Sequence, residues 1–249
     1  MLTAFRPCAL PDGPDPFAEL LASVRFEDTG KGRQGAVLVE PDDAGGTPLV
    51  RTTTRYRQPA QRFGAIHEQL ARQIQDRASV SLGFNNALIE SYTNACVTMG
   101  SHSDQALDLA DDSVIAVFSC YRHPEHPPRQ LIVESKQPGS PPFEVPLLHR
   151  TAVVFSLETN RRFRHKIVLD AARQPANQWL GITFRTSRTR VQWRADRAVF
   201  PDGTPLTLAD EDQQREFFHL RGRENREPDF RYPRLTYTLS ESDLIPLAG

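Results

Sequence analysis

The chain has 249 residues, 30 of them Lys or Arg and 31 Asp or Glu, for a net charge of −1. That length suffices for one domain with a sizeable core, and the charge balance excludes a general electrostatic pull toward nucleic acid or an anionic membrane, though not a local basic groove. Three cysteines (Cys8, Cys96, Cys120) exclude an even disulfide framework or a CxxC zinc pair, and no apolar run approaches the ~20 residues of a membrane span, so a reduced cytoplasmic enzyme or binding protein is expected.

Residues 1–15, MLTAFRPCALPDGPD, read as a loosely held, Pro-rich arm without the apolar stretch of a signal peptide. Asp15-Pro16 opens a short amphipathic segment with Phe17, Leu20, Leu21 and Val24 at helical spacing. Extended stretches follow at GAVLVE (35–40) and PLVRTTTRY (48–56), separated by the turn material PDDAGG. Gln61 to Arg77 reads as the one substantial helix, with Phe63, Ile66, Leu70 and Ile74 on a single face.

Seven short strands come next: 87–92, 113–121, 129–135, 143–148, 151–157, 163–169 and 179–187. No helix crosses over between them, which excludes a parallel α/β sheet. The expected fold class is mainly β (α+β), a jelly roll or barrel with an N-terminal helix-containing extension. The divisions are 1–80 for that extension, packing on the barrel and forming part of a substrate lid, 81–191 for the catalytic core, and 192–249 for a tail wrapping the core.

His102-Ser103-Asp104 is the first chemically pointed feature. In an extended chain, residues two apart point the same way with their Cα atoms about 7 Å apart, so an imidazole and a carboxylate there are placed to share a metal. His165 suits as a third ligand, because Phe163, His165, Ile167 and Leu169 share one face of their strand. Two histidines and one carboxylate leave coordination positions open, the arrangement of non-haem Fe(II) enzymes; a structural zinc site closes its shell with four ligands. The bland alternative is a chance HxD beside a satisfied core histidine.

Downstream, Trp179, Gly181, Thr183 and Arg185 alternate along one strand, and an inward arginine is costly unless it meets an anion. Ser187 stands where its hydroxyl would reach the same anion; the alternative is an arginine emerging at the rim into solvent.

In their order, Tyr92, HSD at 102–104, AVVFSLETNRRFRH at 152–165 and ITFR at 182–185 resemble the AlkB-like branch of the Fe(II)/2-oxoglutarate dioxygenases. The resemblance spans residues 86–188, about 40% of the chain. It implies a double-stranded β-helix, iron held by His102, Asp104 and His165, 2-oxoglutarate and O2 as cosubstrates, and Tyr92, Thr183, Arg185 and Ser187 around the 2-oxoglutarate. Two positions depart from the family: Glu90 stands where an Asn is usual, and Trp179 where a second arginine is usual, leaving Arg185 as the expected sole guanidinium of the pocket.

For the substrate, Arg51, Arg55, Tyr56 and Arg122 are candidate contacts, with water-facing edge residues as the alternative, and His123 and His126 are placed at the pocket mouth. A small polar metabolite, nucleoside-like or amino-acid-like, is favoured. Oxidative demethylation of alkylated nucleic acid or protein is the alternative, and a non-enzymatic jelly-roll binding module is the second. Ala106 lies where nucleobase-repair members carry an acidic residue, and the segment before the barrel has few aromatics on which a flipped base would stack.

Overall fold

A computed structural model describes residues 4–170 and 175–247; the first three residues of the predicted arm and the last two of the tail lie outside them. In chain order the elements are β1 (Arg6–Ala9), α1 (Phe17–Ala22), β2 (Glu27–Gly30), β3 (Arg33–Val39), β4 (Thr47–Pro48), β5 (Gln61–Arg62), α2 (Ala65–Ala78) and β6 (Asn86–Thr93). They continue as β7 (Val114–Tyr121), β8 (Gln130–Ser135), β9 (Phe143–Pro146), β10 (Thr151–Ser156), α3 (Leu157–Arg162), β11 (Phe163–Val168) and β12 (Gln178–Arg185). The last are β13 (Arg190–Arg194), β14 (Arg197–Val199), β15 (Thr207–Leu208), α4 (Glu211–Glu224) and β16 (Tyr237–Thr238).

The major sheet runs β1-β10-β7-β12-β6-β3-β2, with β5 paired to β3, and it faces a minor sheet ordered β11-β8-β9. The segment before the HSD motif lies along β11 as an irregular fourth strand, with bridges Thr98↔Val168 and His102↔His165. The two sheets close into a double-stranded β-helix whose core strands are antiparallel.

Alternation explains why both faces of the major sheet are apolar. On β7, Ala116, Phe118 and Cys120 point outward and join Leu180, Ile182 and Phe184 of β12 beneath α1 and α2, which bury Phe17, Leu20, Leu70 and Ile74 there. Ile115, Val117 and Tyr121 point the other way and meet Leu131, Val133 and Ile167 of the minor sheet. The second cluster is the barrel interior, and the cavity lined by His102, Asp104 and His165 opens from it.

The seven predicted core strands are all present. Five differences have physical causes. The N-terminal arm is not loose: Phe5 is buried in the barrel, β1 pairs with β10, and the Arg150 guanidinium gathers the carbonyls of Pro11, Gly13 and Pro14. The extension contributes strands as well as helices, since β3 pairs with β6 along Arg33↔Tyr92 to Val39↔Asn86.

The helix predicted from Gln61 starts at Ala65, because Gln61 and Arg62 pair with β3 and Gly64 is the N-cap, its N–H donating to His67 Nδ1 (2.9 Å). Of the strand predicted over 48–56, only Pro48 joins a ladder, as part of β4. Asp108 takes the Arg51 N–H (2.8 Å), and the Ser240 hydroxyl donates to the Thr54 carbonyl (2.9 Å) and accepts from Tyr56 N–H (3.2 Å), so side chains replace a partner strand. The tail carries a second substantial helix, α4, whose N-terminus is closed by Asp210 and Gln213 in a capping box.

Candidate metal centre

His165 sits in the β11 ladder opposite Val133, which aims its ring inward. His102 pairs with it through two backbone hydrogen bonds, His102 N–H to His165 carbonyl (2.9 Å) and His165 N–H to His102 carbonyl (2.7 Å). Asp104 lies beyond that bridge on a segment with no ladder. Asn160 of α3 holds it instead: Asp104 N–H donates to Asn160 Oδ1 (2.7 Å), and Asn160 Nδ2 donates to the Asp104 carbonyl (2.7 Å).

The flanking residues are clamped by the end of α4. Ser103 N–H donates to Asn225 Oδ1 (3.0 Å), Ala106 N–H donates to Glu224 Oε1 (2.8 Å), and Arg221 Nη2 donates to the Ser103 carbonyl. Glu224 is itself buried and held by Arg221 and by the Tyr232 hydroxyl (2.8 Å). Nothing in the local pattern of the HSD motif signals these partners, which lie more than fifty residues away in sequence.

The three side chains converge, with ligand atoms of His102, Asp104 and His165 all within 4.8 Å of one another. Asp104 Oδ1 lies 3.4 Å from His165 Nε2 and 3.8 Å from His102 Nε2. The His102 Nδ1 lies 2.8 Å from the Gly100 carbonyl, a contact that puts the proton on Nδ1 and the lone pair on Nε2, toward Asp104. Arg185 Nε (3.2 Å) and Nη2 (3.1 Å) both reach Asp104 Oδ2, leaving Oδ1 for the shared point.

The electrostatics fit a cation. Removal from water, reinforced by His165, lowers the His102 pKa to about 3, so that ring is a neutral donor over the physiological range. Burial works to raise Asp104, but Arg185 and the histidines outweigh it and hold its carboxyl well below the usual range. Two imidazole nitrogens and a carboxylate oxygen on one side of a point suit a divalent transition metal.

The triad opens on a cavity of about 100 Å³. Leu88, Val117, Leu131 and Ile167 form its apolar wall; Thr52, Thr53, Thr54 and Gln105 form the polar one. Arg33 and Thr54 also line a wider outer groove of about 1010 Å³, bordered by Glu27, Asp28, Arg55, Arg57 and Glu241. Gln105 is buried, and its Nε2 has no partner among the described residues. The order of polar side chains around a pocket assembled from widely separated segments is not readable in any one of them.

Of the expected cosubstrate residues, Thr183 and Arg185 line the cavity, but Arg185 is not its sole guanidinium, since Arg33 and Arg221 line it too. Tyr92 is buried against the Trp179 ring (centroids 4.8 Å apart), and its hydroxyl donates to Glu90 Oε2 (3.1 Å). Ser187 stands apart from the cavity, its hydroxyl donating to the Leu49 carbonyl (2.6 Å) and accepting from Thr189 N–H (3.1 Å).

The expected substrate residues also separate. Arg55 and Tyr56 border the outer groove. Arg51 is 3% exposed and fully engaged: its Nε and Nη2 grip Asp108 (3.0 and 2.7 Å), and its Nη1 reaches the carbonyls of Leu235 and Tyr237 (2.8 and 3.0 Å). It is an anchor for the Thr52–Thr54 segment. Arg122 lies outside the pocket, its guanidinium 5.7 Å from the Phe17 ring. His123 and His126 pair with Glu125 on the surface and line neither cavity.

No family model matches the chain, and no curated protein matches it. Solved structures similar to it include OsALKBH1, 14% identical over 65% of this chain and 83% of that one, with a TM-score of 0.41. A 2OG-Fe(II) oxygenase family oxidoreductase from Burkholderia pseudomallei is 15% identical over 69% and 80%, with a TM-score of 0.41. A Pseudomonas putida prolyl-4-hydroxylase is 16% identical over 74% and 95%, with a TM-score of 0.41. The likeness is remote, and the functional reading rests on the side chains themselves. No helix among the described residues is long and apolar enough to cross a membrane.

Proposed function

We propose that the chain is an Fe(II)- and 2-oxoglutarate-dependent oxygenase that hydroxylates a C–H bond of a small polar metabolite. The observation that carries this reading is the division of Asp104: Oδ2 is held by Arg185, while Oδ1 and two imidazole Nε2 atoms face one point at the floor of a cavity. Three ligands on one side leave the rest of the shell open to the pocket, where a cosubstrate and O2 would bind.

Charge supports the same reading. Each guanidinium of the pocket already faces a carboxylate: Arg33 with Glu90, Arg185 with Asp104, Arg221 with Glu224. These three guanidinium and carboxylate charges therefore cancel, and a bound dication would add an excess of two positive charges. That is the charge a dicarboxylate anion neutralises.

The chemistry such a centre supplies is oxidation of a C–H bond by O2, coupled to conversion of 2-oxoglutarate to succinate and CO2. The chain's own work is placement. Arg185 keeps Asp104 ionised and turned, Asn160 and the end of α4 hold its backbone, and the wall of Leu88, Val117, Leu131 and Ile167 keeps the reacting space dry. Gln105 and Thr52–Thr54 offer polar contacts to the substrate.

The outer groove favours a small polar substrate over a nucleic acid strand. Glu27, Asp28 and Glu241 stand among Arg55 and Arg57, and carboxylates on that border repel a phosphate backbone. Succinate formation from 2-oxoglutarate, dependent on Fe(II) and abolished in His102→Ala, tests the activity; succinate formation that survives the substitution rejects it. Salt-sensitive binding of single-stranded DNA or RNA would overturn the substrate class.

A further inference from the structure

The three guanidiniums of the metal pocket are not equivalent. Arg185 directs Nε and Nη2 to Asp104, and Arg221 is held between Glu224 and the Ser103 carbonyl. Their side chains are 9% and 12% exposed. Arg33 is 24% exposed, and its Nε (2.7 Å) and Nη2 converge on a single oxygen, Glu90 Oε1. Its Nη1 has no hydrogen-bond partner among the described residues, so one edge of the fork remains available beside the cavity it lines.

At position 179 on β12 the side chain is aromatic and supplies no cation. The Trp179 indole lies across Gly181, where an added Cβ would stand 2.1 Å from the ring, and it packs on Tyr92. The β12 position therefore offers aromatic surface in place of a cation. Arg33 pairs with Tyr92 across the β3–β6 ladder, and its guanidinium sits 5.6 Å from the centre of the Tyr92 ring. A neighbouring strand thus delivers a positive charge to the edge of the cavity that His102, Asp104 and His165 line.

We propose that Arg33 binds the distal carboxylate of a 2-oxo dicarboxylate, and that Glu90 is the counter-ion that orients the guanidinium while competing with the ligand for it. The inference rests on the oxygenase reading. The free Nη1 edge suits a carboxylate, which accepts parallel N–H bonds from an arginine fork. Glu90 keeps the cation from standing unpaired before the ligand arrives. Discrimination follows: a 2-oxo acid lacking the second carboxylate keeps its chelating end and forgoes Arg33.

The test is calorimetric titration of the full chain loaded with Mn(II), using 2-oxoglutarate and 2-oxobutyrate. Wild type is expected to prefer the dicarboxylate by about 10–100-fold, the range of a charged hydrogen bond. Arg33→Gln and the charge-balanced double variant Arg33→Gln/Glu90→Gln are expected to lose that preference while binding 2-oxobutyrate as before. Glu90→Gln is expected to tighten 2-oxoglutarate alone. The double variant guards against misreading a broken buried ion pair, and its thermal unfolding reports the fold. A double variant that retains the full preference, or that weakens both acids equally, overturns the inference. Equal affinity of the two acids for wild type overturns it also, with the oxygenase reading intact. Failure of metal-loaded wild type to bind either acid removes the oxygenase reading and the inference together.

Discussion

The chain holds its candidate metal ligands in two different ways. His165 stands in a regular ladder, β11 against β8, where alternation alone turns the ring inward. Asp104 stands on a segment without a ladder, and its backbone and that of its neighbours are held by Asn160, Arg221, Glu224 and Asn225. A strand ligand is specified by its own neighbours in sequence, whereas a loop ligand depends on donors and acceptors contributed from other elements. The first is rigid by construction; the second stays in place only while its clamps do.

The largest effect separates the ligands from everything around them. Asp104→Ala and His165→Ala should each abolish stoichiometric metal binding, read by calorimetry with Mn(II) or Co(II). Retention of tight binding in either would remove that residue from the proposed ligand set.

Next comes the anchor of the threonine segment. Arg51→Ala leaves Asp108 buried without its cation, so a loss of about 3–5 kcal/mol is expected in chemical denaturation. Arg51→Ala/Asp108→Ala removes both charges and should recover part of it.

Asn160→Ala and Glu224→Ala then test the loop clamp directly. Each should weaken metal affinity about 10–100-fold, the usual range for residues that orient ligands. The matching change behind the ladder ligand, Val133→Ala, should lower thermal stability and leave metal affinity near wild type. Equal metal losses in the two sets would erase the contrast.

This contrast also explains what was legible in the sequence. The β-helix strands and the inward set of Phe163, His165 and Ile167 follow period-two alternation, and so does the line Trp179, Gly181, Thr183, Arg185. HxD spacing is local as well, and the three ligands converge as expected. What escaped depends on contacts across long stretches of chain. Arg51, which reads as a solvent or substrate contact, is consumed by Asp108 and the tail; Ser187 is consumed by backbone; α4 looks like alternating charge until its buried Phe217, Leu220 and Glu224 are placed. Arg33 carried no signal at all, because its role comes from pairing across a ladder with Tyr92.

The smallest effect lies at the end of the tail. Burial, with Asp108 nearby, raises the Asp243 pKa from 3.8 to about 7. The folded chain therefore keeps a proton that the unfolded chain releases over roughly pH 4 to 7, so stability falls as pH rises through that window and then levels. Asp243→Asn lacks this penalty and should be more stable than wild type at pH 8, by about 1–2 kcal/mol after allowing for its partial exposure. The gain should vanish near pH 4, and a pH-independent difference would place the cause elsewhere.

The hold of Glu224 and Asn225 on Ser103 and Ala106 bears on the order of assembly during synthesis. All three metal ligands leave the ribosome some sixty residues before that helix end does. A nascent chain of that length carries both histidines, the aspartate and the Asn160 that holds it, but not yet the α4 contacts to Ser103 and Ala106. The last of the contacts that fix this loop thus form only after the walls of the cavity have been made.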